Sequence, residues 1–254
     1  MVLLRKSVPQ NHNLQTAAEL SVIFDEPITM ITKCWICETE DATTNEHVVM
    51  QSVVELILGK IEVNQQAYFH YNDGKKNIPI KSYKNNRLTF NKIICGKCNG
   101  SLSQPYDNEF RAFVVNMQKS KNLVISREKL PLVKFQREKL ANYFIKILGC
   151  LLEINTAFIN ENDRNIFRNS ILSGKVLTNN VFVSFHRDIN LIAKKNMKIV
   201  SNHPVFGAGF RAWLIDLDWI SLCISYPFGP IQNCYGTQWN LSQNIPVVRI
   251  GKRS

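Results

Sequence analysis

The sequence predicts an α+β fold with a helical middle and a β-rich C-terminal part, and three observations carry that expectation. Between residues 140 and 152, Leu140, Tyr143, Phe144, Ile147, Leu148, Leu151 and Leu152 recur at spacings of three and four, which is one apolar stripe on a helix. Beyond residue 176 the period changes to two, as in Val181-Phe-Val-Ser-Phe185 and along Arg211 to Tyr226. Two C-x-x-C pairs, Cys34/Cys37 and Cys95/Cys98, bracket an N-terminal module in which strands and short helices alternate. With 254 residues, 45% of them hydrophobic, the chain can fill one large domain or two small ones. The expected division is 1–120, a zinc-containing module, and 121–254, helical support followed by an α+β module for target or partner recognition.

Taken in order, Leu14, Ala17, Ala18 and Leu20 suggest a short helix and Ser21 to Phe24 a strand stopped by Asp25-Glu26-Pro27. Residues 33–49 form the first cysteine turn and the strand or loop after it. Ser52 to Leu58 reads as a helix closed by Gly59. Residues 60–87 are polar and turn-rich, with Asn72-Asp73-Gly74 marking a tight turn, and read as an insertion. Leu88 to Ile94 is a strand leading to the second cysteine turn. Asp107 to Lys119 is a helix with Phe110, Phe113, Val114 and Met117 on one face, followed by a hinge-like Lys119-Ser-Lys-Asn. After the central helix, Glu161 to Leu172 forms another, ended by Ser173-Gly174. Lys198 to Ser201 is a short strand. The alternation along Arg211 to Tyr226 changes phase near Asp218-Trp219, which requires a bulge or a tight hairpin. Ile245 to Ile250 contains Pro246 and reads as an edge strand. Gly251 to Ser254 reads as a mobile tail. Cys150, Cys223 and Cys234 are expected to be buried thiols, and His186 and His203 to be structural.

Lys and Arg number 31 against 20 Asp and Glu, a formal charge of +11, which predicts attraction to polyanions and salt-sensitive association. Charge alone does not separate DNA from RNA or from an anionic membrane. No apolar run reaches the ~18–20 residues of a membrane span. The start of the chain lacks a cleavable signal pattern, so the expectation is a cytoplasmic protein with reduced thiols and no membrane partner.

The chemistry-bearing residues lie between Cys34 and Asp107. Two C-x-x-C turns can complete a closed tetrahedral zinc site, which holds segments together and leaves no open position for chemistry. Buried thiols, a pair of disulfides or a redox motif are the competing explanations. Between the pairs stands Glu46-His47-Val48-Val49, and Asn99 follows Cys98 directly. Lys75, Lys76, Lys81, Lys84, Arg87, Lys92 and Lys97 form a run without an acidic residue, interleaved with Tyr83 and Phe90. Such a run is either a solvated face or a track for a phosphate backbone.

These residues resemble the HNH, or ββα-metal, endonucleases, in the subgroup with two C-x-x-C zinc knuckles. The likeness spans roughly residues 30–120 and rests on Cys34/Cys37, Glu46-His47-Val48-Val49, Cys95/Cys98-Asn99 and Asp107; Met50 stands where the family usually has Pro. The resemblance implies a ββα-metal module with a structural Zn²⁺ on the four cysteines and a catalytic Mg²⁺ or Mn²⁺ on Glu46 and Asn99. It makes His47 the general base and Asn91 the residue that orients its imidazole. Asn99 is otherwise a turn residue, and Asp107 is either a helix N-cap or support for the site. The implied activity is phosphodiester hydrolysis in double-stranded DNA, in prokaryotic restriction or phage defence, with a second copy of the chain or a defence-system protein as a candidate partner. The competing expectation is a zinc-stabilised nucleic-acid binder, or a scaffold, that does not cut.

Overall fold

The structure is a computed structural model. It describes residues 33–59, 67–71, 77–79, 82, 88–132, 135–158, 160–188, 198–207, 209–227, 238–243, 245 and 247–253. The helix and strand expected before residue 25 lie outside these residues, as do Cys234 and the Asn72-Asp73-Gly74 turn.

The chain enters through the first cysteine turn and strand β1, Thr44–His47. Helix α1, Gln51–Leu58, follows and buries Val53, Val54, Ile57 and Leu58; Gly59, at φ 64°, closes it by donating its N–H to the Glu55 carbonyl. The stretch expected to be a turn-rich insertion instead contributes two strands, β2 (Ala67–Tyr71) and β3 (Asn77–Pro79), paired antiparallel. The tyrosines and phenylalanine of Ala67-Tyr-Phe-His-Tyr71 are strand formers, and the surrounding polar residues masked them in the sequence. Strand β4, Thr89–Ile94, returns antiparallel to β1, with Glu46 opposite Phe90 and His47 opposite Thr89.

The second cysteine turn runs into a π-helical turn, Cys98–Leu102, and then helix α2, Gln104–Lys119. This helix starts before the expected Asp107 because Pro105 occupies its first turn, where a missing N–H costs nothing. Asp107 is therefore not the N-cap; Ser103 is. The expected hinge is a second helix, α3, Lys121–Arg127, ended by Glu128 at a left-handed φ of 52°. Strand β5, Lys129–Pro131, leads to helix α4, Arg137–Ile154.

Helix α4 departs most from expectation. It is buried on every side from Leu140 to Leu152, not along one stripe. The face opposite the stripe carries Ala141, Ile145, Gly149 and Cys150, small or apolar residues that let neighbours close in, together with Asn142 and Lys146, which are buried as well. Helix α2 covers one side, where Phe110 stacks on Tyr143 with ring centroids 3.9 Å apart. The first cysteine turn covers another: Trp35 is fully buried and lies so close to Gly149 that a Cβ there would sit 2.2 Å from the indole. Helix α5, Glu161–Ser173, is capped by the Asn160 side chain and ended by Gly174 at φ 72°. Its Arg164 pairs with Glu153 and Glu38, and Arg168 donates to the Ile36 carbonyl, which ties α5 to the first cysteine turn.

The remaining strands are β6 (Phe182–Asp188), β7 (Lys198–Gly207), β8 (Phe210–Leu217), β9 (Ile220–Pro227), β10 (Gln238–Asn240), β11 (Val247–Arg249) and β12 (Gly251–Arg253). All of them but β11 join β2 and β3 in an eight-stranded sheet in the order β10-β6-β9-β8-β7-β2-β3, with β12 parallel to β6. The phase change at Asp218-Trp219 is a two-residue hairpin turn between β8 and β9, with Asp218 at φ 62°. Strand β11 pairs with β5 outside that sheet. The C-terminal residues expected to be mobile are strand β12; Gly251 fits where a Cβ would lie 2.8 Å from the His186 ring. His186 is buried and hydrogen-bonded to Ser184, and Cys150 and Cys223 are buried as expected. One hydrophobic core runs from Cys34 to Ile250 and is continuous across residue 120.

Candidate metal centre and adjoining cleft

The sulfurs of Cys34, Cys37, Cys95 and Cys98 lie within 4.8 Å of one another, and none is in a disulfide. Both turns are organised by backbone geometry. Glu38 adopts φ 58° and donates to the Cys34 carbonyl, while the Cys98 N–H points at Cys95 Sγ at 3.4 Å. A tetrahedral zinc with bonds of about 2.3 Å needs sulfurs about 3.8 Å apart. Cys37 Sγ and Cys95 Sγ are 3.8 Å apart. The hydrogen bond between Cys34 and Cys98 pulls the Cys34 thiol down to about 4 and pushes Cys98 up. Thiols that share protons in this way are poised to exchange them for a cation, since metal binding requires thiolates. The four cysteines can hold a structural metal such as zinc.

Because the second turn follows β4 directly, it brings Asn99 back beside β1. The Asn99 amide donates to Thr44 Oγ1 (3.3 Å) and to the Asn45 carbonyl (3.2 Å), and among the described residues its side-chain oxygen has no hydrogen bond. Asn99, Glu46, His47 and Asp107 thereby line one cleft of about 360 Å³, together with Met50, Gln51, Ser52 and Glu55 at the start of α1. Of the site residues expected from the sequence, these four are brought together. Asn91 is exposed on β4 and makes no hydrogen bond with His47. Lys92 and Lys97 are exposed; Lys75, Lys76, Lys81, Lys84 and Arg87 lie outside the described residues.

The residue that sequence reasoning missed is Lys146. It projects from α4 behind the cleft, fully buried, with Nζ 3.1 Å from Glu46 Oε1, 2.6 Å from Asp107 Oδ1 and 3.3 Å from Ser103 Oγ. The signal was a lysine between Ile145 and Ile147 in a predominantly apolar stretch of helix. A buried ammonium needs paired carboxylates, and Glu46 and Asp107 supply them. Burial opposes its charge, but the two carboxylates outweigh burial and raise its pKa. Burial also raises the pKa of Glu46, against the pull of Lys146. For His47, burial and then the charge of Lys146 lower the pKa, so the imidazole stays neutral at neutral pH.

No family model, curated protein or solved structure matches the chain. Among the described residues, no helix is long and apolar enough to cross a membrane.

Proposed function

We propose that the chain is a metal-dependent endonuclease of the HNH type that hydrolyses phosphodiester bonds in DNA. The observation that carries the reading is the convergence of Glu46, His47 and Asn99 on one cleft beside the cysteine cluster. The cleft offers carboxylate and amide oxygens of the hard type that Mg²⁺ and Mn²⁺ favour, few enough that water and phosphate would fill the remaining positions. Glu46 and Asn99 would hold that ion. When bound, it would supply positive charge to the phosphate and the leaving oxygen. The neutral His47 imidazole would take the proton of the attacking water. The Asn99 amide is bonded to Thr44 and Asn45 of β1, and the cysteine cluster, by holding the turn that carries Asn99, would support this proposed ligand without taking part in chemistry. The exposed Lys92 and Lys97, and the basic residues before them in sequence, would hold the phosphate backbone. A prokaryotic restriction or phage-defence role, in the cytoplasm and with a second copy or a defence-system protein, fits this activity.

A second reading has one observation in its favour. Lys146 already neutralises Glu46, as a structural ion pair in a non-cutting zinc-stabilised nucleic-acid binder or scaffold would. The experiment that separates the two is incubation of the zinc-loaded protein with supercoiled plasmid. The nuclease reading expects nicking with Mg²⁺ or Mn²⁺ and none after EDTA; binding without nicking under every metal condition supports the second.

A further inference from the structure

We propose that Lys146 is a positioning residue whose ammonium clamps the Glu46 and Asp107 carboxylates from behind the cleft and weakens divalent-metal binding there. The inference rests on the reading of Glu46 as a metal ligand. Glu46 and Asp107 both line the cleft, and Lys146 does not. The ammonium engages one oxygen of each carboxylate, Glu46 Oε1 at 3.1 Å and Asp107 Oδ1 at 2.6 Å, and its remaining donor meets Ser103 Oγ at 3.3 Å. Ser103 Oγ also donates to the Asn99 carbonyl at 3.0 Å. The same contact set therefore touches the residues proposed as ligands, Glu46 by ion pair and Asn99 through Ser103. Among the described residues, Glu46 Oε2 has no hydrogen-bond partner, and it remains for the cleft.

The charges decide what this clamp does. Two carboxylates and one ammonium leave a net charge of −1 around the cleft. A divalent ion added there leaves +1, which a phosphate diester then balances. Without Lys146 the two carboxylates would hold −2 and would bind a divalent ion well in the absence of nucleic acid. With it, metal and phosphate bind best together, and the free protein holds its catalytic ion loosely. A lysine that only filled space in α4 would not require an acidic residue from two different elements within 3.1 Å of its nitrogen.

The test is Mn²⁺ binding to the zinc-loaded protein without DNA, by isothermal titration calorimetry, in wild type, Lys146→Met and Lys146→Met/Asp107→Asn. Zinc content and the melting temperature are measured alongside. Removing one positive charge beside the ligand is expected to tighten Mn²⁺ binding at least ~10-fold in Lys146→Met, since unit charges about 4 Å apart interact strongly even at intermediate dielectric. The double variant, which removes one charge of each sign, is expected to return to within roughly threefold of wild type by the same charge balance. It also keeps the test alive if the single variant does not fold, because it leaves one fewer unpaired carboxylate. Mn²⁺ affinity unchanged or weakened in folded Lys146→Met, or changed by more than roughly threefold in the double variant, overturns the proposal. If the wild type binds no Mn²⁺ and does not cut, the nuclease reading itself has failed. If the wild type binds Mn²⁺ and cuts but the variants lack the expected pattern, only the role of Lys146 has failed.

Discussion

Gly149→Ala is expected to destabilise the protein although it replaces a helix-disfavouring residue with the best helix former. Gly149 lies inside α4, where the exchange alone would stabilise by about 0.5–1 kcal/mol. Its surroundings reverse the sign. A Cβ at this position would meet the Trp35 ring at 2.2, 2.6 and 3.0 Å, each shorter than any ordinary carbon contact. Carbon atoms pack at about 3.5–4.0 Å, so ring and helix must separate by more than an ångström. Trp35 has no room to yield: it is fully buried, its backbone N–H donates to the Ile93 carbonyl, and it sits between Cys34 and Ile36. Overpacking of this severity costs about 3 kcal/mol, which leaves about 2 kcal/mol of net destabilisation. For a chain of this size that is roughly a 4–8 °C fall in melting temperature. Calorimetry of the zinc-loaded protein measures it, and a chromogenic chelator should extract zinc faster from the variant, because the displaced ring carries Cys34 with it. A variant that melts at or above the wild-type temperature would refute the packing of Trp35 on α4.

Cys98→Ser should lose zinc and most of the folded protein, because metal binding at such a site is coupled to folding; native mass spectrometry of a folded, metal-free wild-type chain would contradict this. Replacing Lys92 and Lys97 with Gln should weaken DNA binding and flatten its dependence on salt by up to ~2 units of log–log slope, read by fluorescence anisotropy. An unchanged slope would move the phosphate track to other basic residues. Asn99→Ala should cut more slowly and recover part of its rate at higher Mn²⁺, since it removes a proposed ligand and leaves the base in place.

Much of the site was legible in the sequence because it is local. Glu46-His47 sit together, and Asn99 is adjacent to Cys98, so the turn that carries one thiol carries the amide. The helices α1, α4 and α5 were legible from their periodicity and from the closing glycines at 59 and 174. What escaped was set by distant partners. Strand β2 is an aromatic stretch hidden among polar residues and pairs with the distant β7, and strand β12 lies in a short polar stretch whose only reason to be a strand is its neighbour β6. Lys146 escaped for the same reason. Its carboxylates come from residues 46 and 107, far away in sequence, and periodicity describes which face is buried, not which charges meet there. The full burial of α4 was hidden because Asn142 and Lys146 stand opposite its stripe, where polar residues usually mark a solvated face.

The central claim is that His47 acts as the base in metal-dependent DNA cleavage. The most direct test compares wild type and His47→Ala on supercoiled plasmid in saturating Mg²⁺ or Mn²⁺, after zinc content, melting temperature and DNA affinity are shown to match. Loss of a general base typically costs about 10²–10⁴ in rate, and a fall in that range with the other properties intact is the predicted result. Cleavage by His47→Ala at the wild-type rate would contradict the account.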